Sequence, residues 1–94
     1  MAKARAHLYI TGRVQGVNFR YYTQQEAEGL GCVGWVRNLR DGRVEVVAEG
    51  EQTKVEELAR WCHRGPSWAS VTNVEIQWET PTGEFKNFGV AYSR

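Results

Sequence analysis

Two residues in this chain are of types, and at positions, that could do chemistry. Arg20 closes the stretch "GRVQGVNFR" (12–20), a glycine-containing loop that leads out of one element into the start of another. A planar guanidinium at that position can grip two oxygens of a phosphate at once. The loop can add backbone N–H groups and the positive end of a helix dipole, with Gly16 letting the backbone curl or approach a ligand closely. Asn38 stands before "LRDG". Its amide both donates and accepts, so it can orient a water. Each residue also has a structural reading. Arg20 could pair with a surface carboxylate beside a plain loop, and asparagine is a common turn-former.

No Ser-His-Asp or Cys-His arrangement is visible, and no carboxylate pair stands out in a loop. Chemistry built on Arg20 and Asn38 would run without a strong base, a protein nucleophile or a metal. That restricts it to a substrate with a good leaving group. His7 and His63 are isolated, without metal-ligand spacing, so no metal is expected. Cys32 and Cys62 form no CxxC and read as two buried, reduced thiols.

The elements that must position these residues follow from periodicity. Residues 6–14 alternate, with Leu8, Ile10, Gly12 and Val14 on one face, which predicts a strand. Phe19, Thr23, Ala27 and Leu30 make a helical stripe that Gly29 and Gly31 end. Residues 32–39 and 43–49 read as strands joined by a turn at Asp41-Gly42. Thr53 with Glu56 suggests a capping box opening a second helix, whose apolar stripe is Val55, Leu58, Ala59 and Cys62 and whose stop is Gly65-Pro66. "SVTNVEIQW" (70–78) predicts a strand with Thr72, Val74, Ile76 and Trp78 on one face, and residues 88–93 a short last strand.

The order βαββαβ plus a short C-terminal strand predicts a ferredoxin-like α/β sandwich, a mixed, largely antiparallel sheet with both helices on one face. A right-handed β-α-β crossover makes the first two strands parallel, with the third between them. The loop at 15–20 and Asn38 then leave the sheet at the same edge, two strand spacings (roughly 10 Å) apart. A small anion fits between them.

At 94 residues the chain, 1–94, reads as one domain. Its net charge of +1 gives no global pull toward nucleic acid or an anionic membrane. No apolar run approaches the ~20 residues of a membrane helix, and the N-terminal run is short for a signal peptide, so a cytoplasmic location is expected. The literal GxGxxG at Gly29–Gly34 follows a helix and enters a strand, the reverse of a dinucleotide site. Four tryptophans suggest base stacking, but no Lys/Arg cluster joins them, so RNA binding is not expected.

The stretches "GRVQGVNFR" and "GWVRNLRDGRVEVVAEG" resemble the two signature stretches of the acylphosphatases, and "GPSWASVTNVEI" and "FGVAY" extend the resemblance from about Ala6 to Tyr92. The resemblance implies an enzyme that hydrolyses the carboxyl-phosphate bond of a small-molecule acylphosphate, giving a carboxylate and inorganic phosphate, with no cofactor. It implies that Arg20 binds the phosphate together with the loop amides of Gln15, Gly16, Val17, Asn18 and Phe19, and that Asn38 holds the nucleophilic water. Two positions differ from some members. Asn18 stands where glycine, phenylalanine or cysteine is frequent, and could cap the helix or edge into the pocket. Leu39 stands where some members carry a threonine hydroxyl. A monomer is expected. The rival from another class is a non-catalytic phosphate-binding module of the same fold; a chain of this length favours the enzyme.

Overall fold

The computed structural model describes residues 2–94. Its elements run β1 (Lys3–Arg13), α1 (Phe19–Gly29), β2 (Val33–Asn38), β3 (Val44–Glu51), α2 (Gln52–Arg64), β4 (Ser70–Glu79) and β5 (Phe88–Val90). The strands form one sheet in the order β4-β1-β3-β2-β5. β3 is antiparallel to both β1 and β2, so β1 and β2 run parallel with β3 between them. This is the predicted ferredoxin-like arrangement, with β5 added parallel to β2.

One face of the sheet carries Ala6, Leu8, Ile10, Val36, Val44, Val46 and Ala48, all buried. Phe19, Thr23 and Ala27 of α1 and Val55, Leu58, Ala59 and Cys62 of α2 meet them there, as the sequence stripes require. α1 packs over β2 and β5, and α2 over β1, β3 and β4. Both cysteines are buried and unpaired. Burial pushes the Cys62 thiol up to about 12 and also raises Cys32, so neither is a ready nucleophile.

Gly34 shows what the literal GxGxxG does. A Cβ there would lie 1.9 Å from the Val47 carbonyl oxygen, and the residue has φ 140°. The glycine permits strand packing; it does not line a nucleotide loop.

Three expectations need correction. β3 runs directly into α2, with Glu51 at the N-cap and no side-chain cap bond, so Thr53 lies inside the helix and no capping box forms. The Gln52 amide is satisfied instead by the Ala2 carbonyl at 2.9 Å. In β4, a bulge opposite Thr11 and Gly12 pairs Thr11 with Asn73 and Gly12 with Val71. Thr72 is the extra residue: it is exposed, while Val71 and Val74 pack against the core. Trp78, further along, is exposed as well. Finally, β5 is shorter than expected, but the chain beyond it still follows β2. The Ala91 amide donates to Val36 and the Arg94 amide to Asn38.

Candidate active site

The site is assembled at the edge where β1 and β2 end. β1 finishes at Arg13, Val14 turns into the core, and residues 15–18 form a short loop before α1. Gly16 has φ 76° and Asn18 φ 63°. Asn18 is the only non-glycine residue with positive φ among those described. Asparagine tolerates this left-handed conformation better than most side chains. Its side chain makes no helix-capping bond, so the capping expectation is not met.

That loop geometry leaves donors free. The first intrahelical bond of α1 runs from the Tyr22 amide to the Asn18 carbonyl, at 3.1 Å. The amides ahead of it have no place in the helix ladder, and no backbone carbonyl accepts from residues 15–18 among the described residues. No acidic side chain sits in the first turn to neutralise the positive end of the dipole. Arg20 lies in that turn, where the dipole disfavours a cation, and it forms no ion pair among the described residues. Pairing with a surface carboxylate therefore does not explain it.

Asn38 is the last residue of β2 and faces the same place. One cleft of about 280 Å3 is lined by Gln15, Gly16, Asn18, Phe19, Arg20 and Asn38, with Tyr21, Gln24 and Val90 around them. Among the described residues, Asn38 Oδ1 is the one buried side-chain polar atom with no hydrogen-bond partner. Such an atom costs about 1–3 kcal/mol when left unsatisfied. Its backbone, by contrast, is engaged: Asn38 stands opposite Val44 across the hairpin, and its carbonyl accepts from the Arg94 amide at 2.9 Å. A turn-former would spend its side chain on the turn; this one turns it into the cleft.

Sequence reasoning missed what joins the two halves. The Gln15 side chain donates to the Leu39 carbonyl at 2.7 Å and to the Arg43 carbonyl at 2.9 Å. The loop after β1 is thereby fastened to the loop after Asn38. Leu39, lacking a hydroxyl, is held through its main chain by Gln15 and by its own amide bond to Arg43 at 2.8 Å. No local sequence signal marks this contact, because its partners lie 24 and 28 residues away. Val17 is the one predicted loop residue whose side chain does not line this cleft. It lines a neighbouring groove instead.

A cleft with these donors fits a small oxyanion. The model of the acylphosphatase family matches residues 6–90. The chain belongs to the acylphosphatase family. It is 52% identical to an acylphosphatase from a Roseiflexus species over 92 residues, covering 98% of this chain and 99% of that one. A relative from Pelotomaculum thermopropionicum is 50% identical over 98% of this chain and all of its own. Among solved structures, the acylphosphatase of Bacillus subtilis superposes with a TM-score of 0.91 at 32% identity, covering 95% of this chain and 99% of that chain. Membership in this family makes the chain a hydrolase of acylphosphates, so the binding-module alternative falls away. No helix among the described residues is long and apolar enough to cross a membrane.

Proposed function

We propose that Arg20 and Asn38 divide the hydrolysis of an acylphosphate between them, Arg20 with the loop amides holding the phosphoryl group and Asn38 holding the attacking water. The observation that carries this reading is a pair of groups in one cleft that find no partner among the described residues, the Arg20 guanidinium without a carboxylate and the buried Asn38 Oδ1 without a donor. A water donating to that oxygen from the cleft would satisfy it and face the phosphorus.

The water oxygen forms a bond to phosphorus as the bond from phosphorus to the acyl oxygen breaks. The carboxylate departs with the electron pair, and the proton from the water passes to a phosphoryl oxygen. A carboxylate is stable as it leaves, so no general acid is needed. What the protein supplies is alignment and stabilisation of charge on the equatorial oxygens. Donors fixed by loop, helix and the Gln15 bond need no reorganisation during the step. The reading includes a single domain over residues 1–94, acting as a cytoplasmic monomer on a small-molecule substrate, with neither nucleic acid nor a cofactor.

The test is hydrolysis of benzoyl phosphate in heavy-oxygen water without added metal. Label should appear in the phosphate. Label in the benzoate would place the attack at carbon and overturn the reading; no turnover would overturn it too.

A further inference from the structure

A second depression adjoins the cleft of Arg20 and Asn38, the phosphate cradle of the proposed reading, across Asn18. It is a groove of about 610 Å3, more than twice the size of the cradle cleft, and Asn18 lines both. Its apolar walls are Val17, Tyr22, Trp61, Pro66 and Trp68. Trp68 is 81% exposed and Tyr22 44%. Together with Trp61 and Pro66 they form a contiguous apolar lining beside the cleft, and such patches mark ligand-binding grooves where isolated exposed aromatics do not.

The walls are fixed to the cradle. Trp61 packs on Phe19, ring centroids 5.6 Å apart, and Phe19 is itself the last residue before Arg20. The backbone at Gly65 is pressed so closely on the same ring that a Cβ there would lie 2.6 Å from it. Glu26 and Arg64 also line the groove and contribute opposite charges. They cancel, so the groove would select by shape and apolar area and not by a second anion.

Its position suits one part of the substrate. In the sheet order β4-β1-β3-β2-β5, Asn38 stands on the β2 side of the loop after β1. The groove is formed on the other side: Trp61 and Arg64 come from the end of α2, which packs over β1, β3 and β4, and residues 66–69 lead into the edge strand β4. Displacement in line requires the leaving group to face away from the attacking water. A water held at Asn38 therefore directs the leaving carboxylate across Asn18 toward the aromatic groove.

We propose that the groove between Tyr22, Trp61 and Trp68 is the acyl subsite, and that it takes an aromatic acyl group on the substrate; the proposal rests on the catalytic reading given above. Its test is the ratio of kcat/KM for benzoyl phosphate to that for acetyl phosphate, which has only a methyl group to place there. Trp68→Ala and Tyr22→Ala should each lower the ratio about tenfold, mainly through KM for benzoyl phosphate, as expected for lost apolar contact in a binding pocket. Trp68 contributes nothing to the core, so its variant should fold with an unchanged Tm. A ratio within about twofold of wild type in both variants would overturn the subsite while leaving the catalytic reading standing. Failure of the wild type to release phosphate from either substrate would overturn both.

Discussion

The molecule has two polar regions built on opposite rules. On the sheet face away from the helices, the charged groups satisfy one another. Glu49 accepts from Arg5 at 2.7 Å, from the Thr82 amide and hydroxyl at 2.9 and 3.0 Å, and from the Gly83 amide at 3.0 Å. Glu45 is held by Arg37 at 2.7 Å and by His7 at 2.5 Å. Arg5 reaches Glu79 and Glu84 as well. In the cleft at the end of β1 and β2 the opposite holds. Among the described residues, amides there lack acceptors, Arg20 lacks a carboxylate, and Asn38 Oδ1 lacks a donor. A polar group that is buried and satisfied contributes to the fold; one that is buried and without a protein partner is open to a water or a ligand.

The strongest way to break that comparison is at Arg20. Arg20→Lys keeps the charge but loses the fork. It should lower kcat/KM for benzoyl phosphate about a thousandfold, within the range for removing a charged transition-state contact, with no loss of stability. Near-normal kcat/KM would mean that the unpaired guanidinium is not the phosphate grip.

Gln15 sharpens the comparison, because it is a satisfied group inside the unsatisfied region. Gln15→Ala removes two hydrogen bonds to the hairpin. It should cost about 1–2 kcal/mol in urea unfolding and lower kcat about tenfold as the loop after Asn38 drifts from the loop before α1. A stability loss without a kcat loss would show that the two loops hold their positions without this bond.

The smallest effect belongs to the satisfied region and should appear in stability alone. Burial by itself would raise the Glu49 carboxyl, but the Thr82 amide, the Arg5 guanidinium and the Gly83 amide outweigh it and hold it at about 2. A depressed folded-state value stabilises the protein above the ordinary glutamate value of 4.5, and that contribution disappears as pH falls from about 4.5 toward 2. Glu49→Gln should flatten the acid limb of a urea-midpoint profile by an amount on the order of 1–3 kcal/mol, leaving turnover at neutral pH intact. An unchanged acid limb would remove Glu49 from the account.

Much of this architecture is legible in the sequence, and the failures have physical causes. Alternation in 6–14 and the turn at Asp41-Gly42 give the order of elements, and the handedness of the crossover then brings Arg20 and Asn38 to one edge. The junction at Glu51–Gln52 is not legible. A strand passes into a helix with no turn signal, and its first amide is satisfied by Ala2, far away in sequence. The β4 bulge is equally hidden, since a shift of one residue depends on the pairing strand and not on "SVTNVEIQW" alone. Asn18 is intelligible only once its φ is known. The same holds for Gln15, whose spacing suggests a loop backbone, whereas its side chain reaches across to the hairpin.

The most direct measurement pairs turnover with stability in Asn38→Ala. If the buried Oδ1 is kept for the attacking water, removing it should cost the fold little, because Oδ1 accepts no hydrogen bond among the described residues. The expected result is a kcat for benzoyl phosphate lowered about a hundredfold or more, KM changed far less, and a Tm equal to or above that of the wild type. A normal kcat, or a loss of activity that follows a loss of Tm, would contradict the assignment of Asn38 to the water and with it the distinction between the two polar regions.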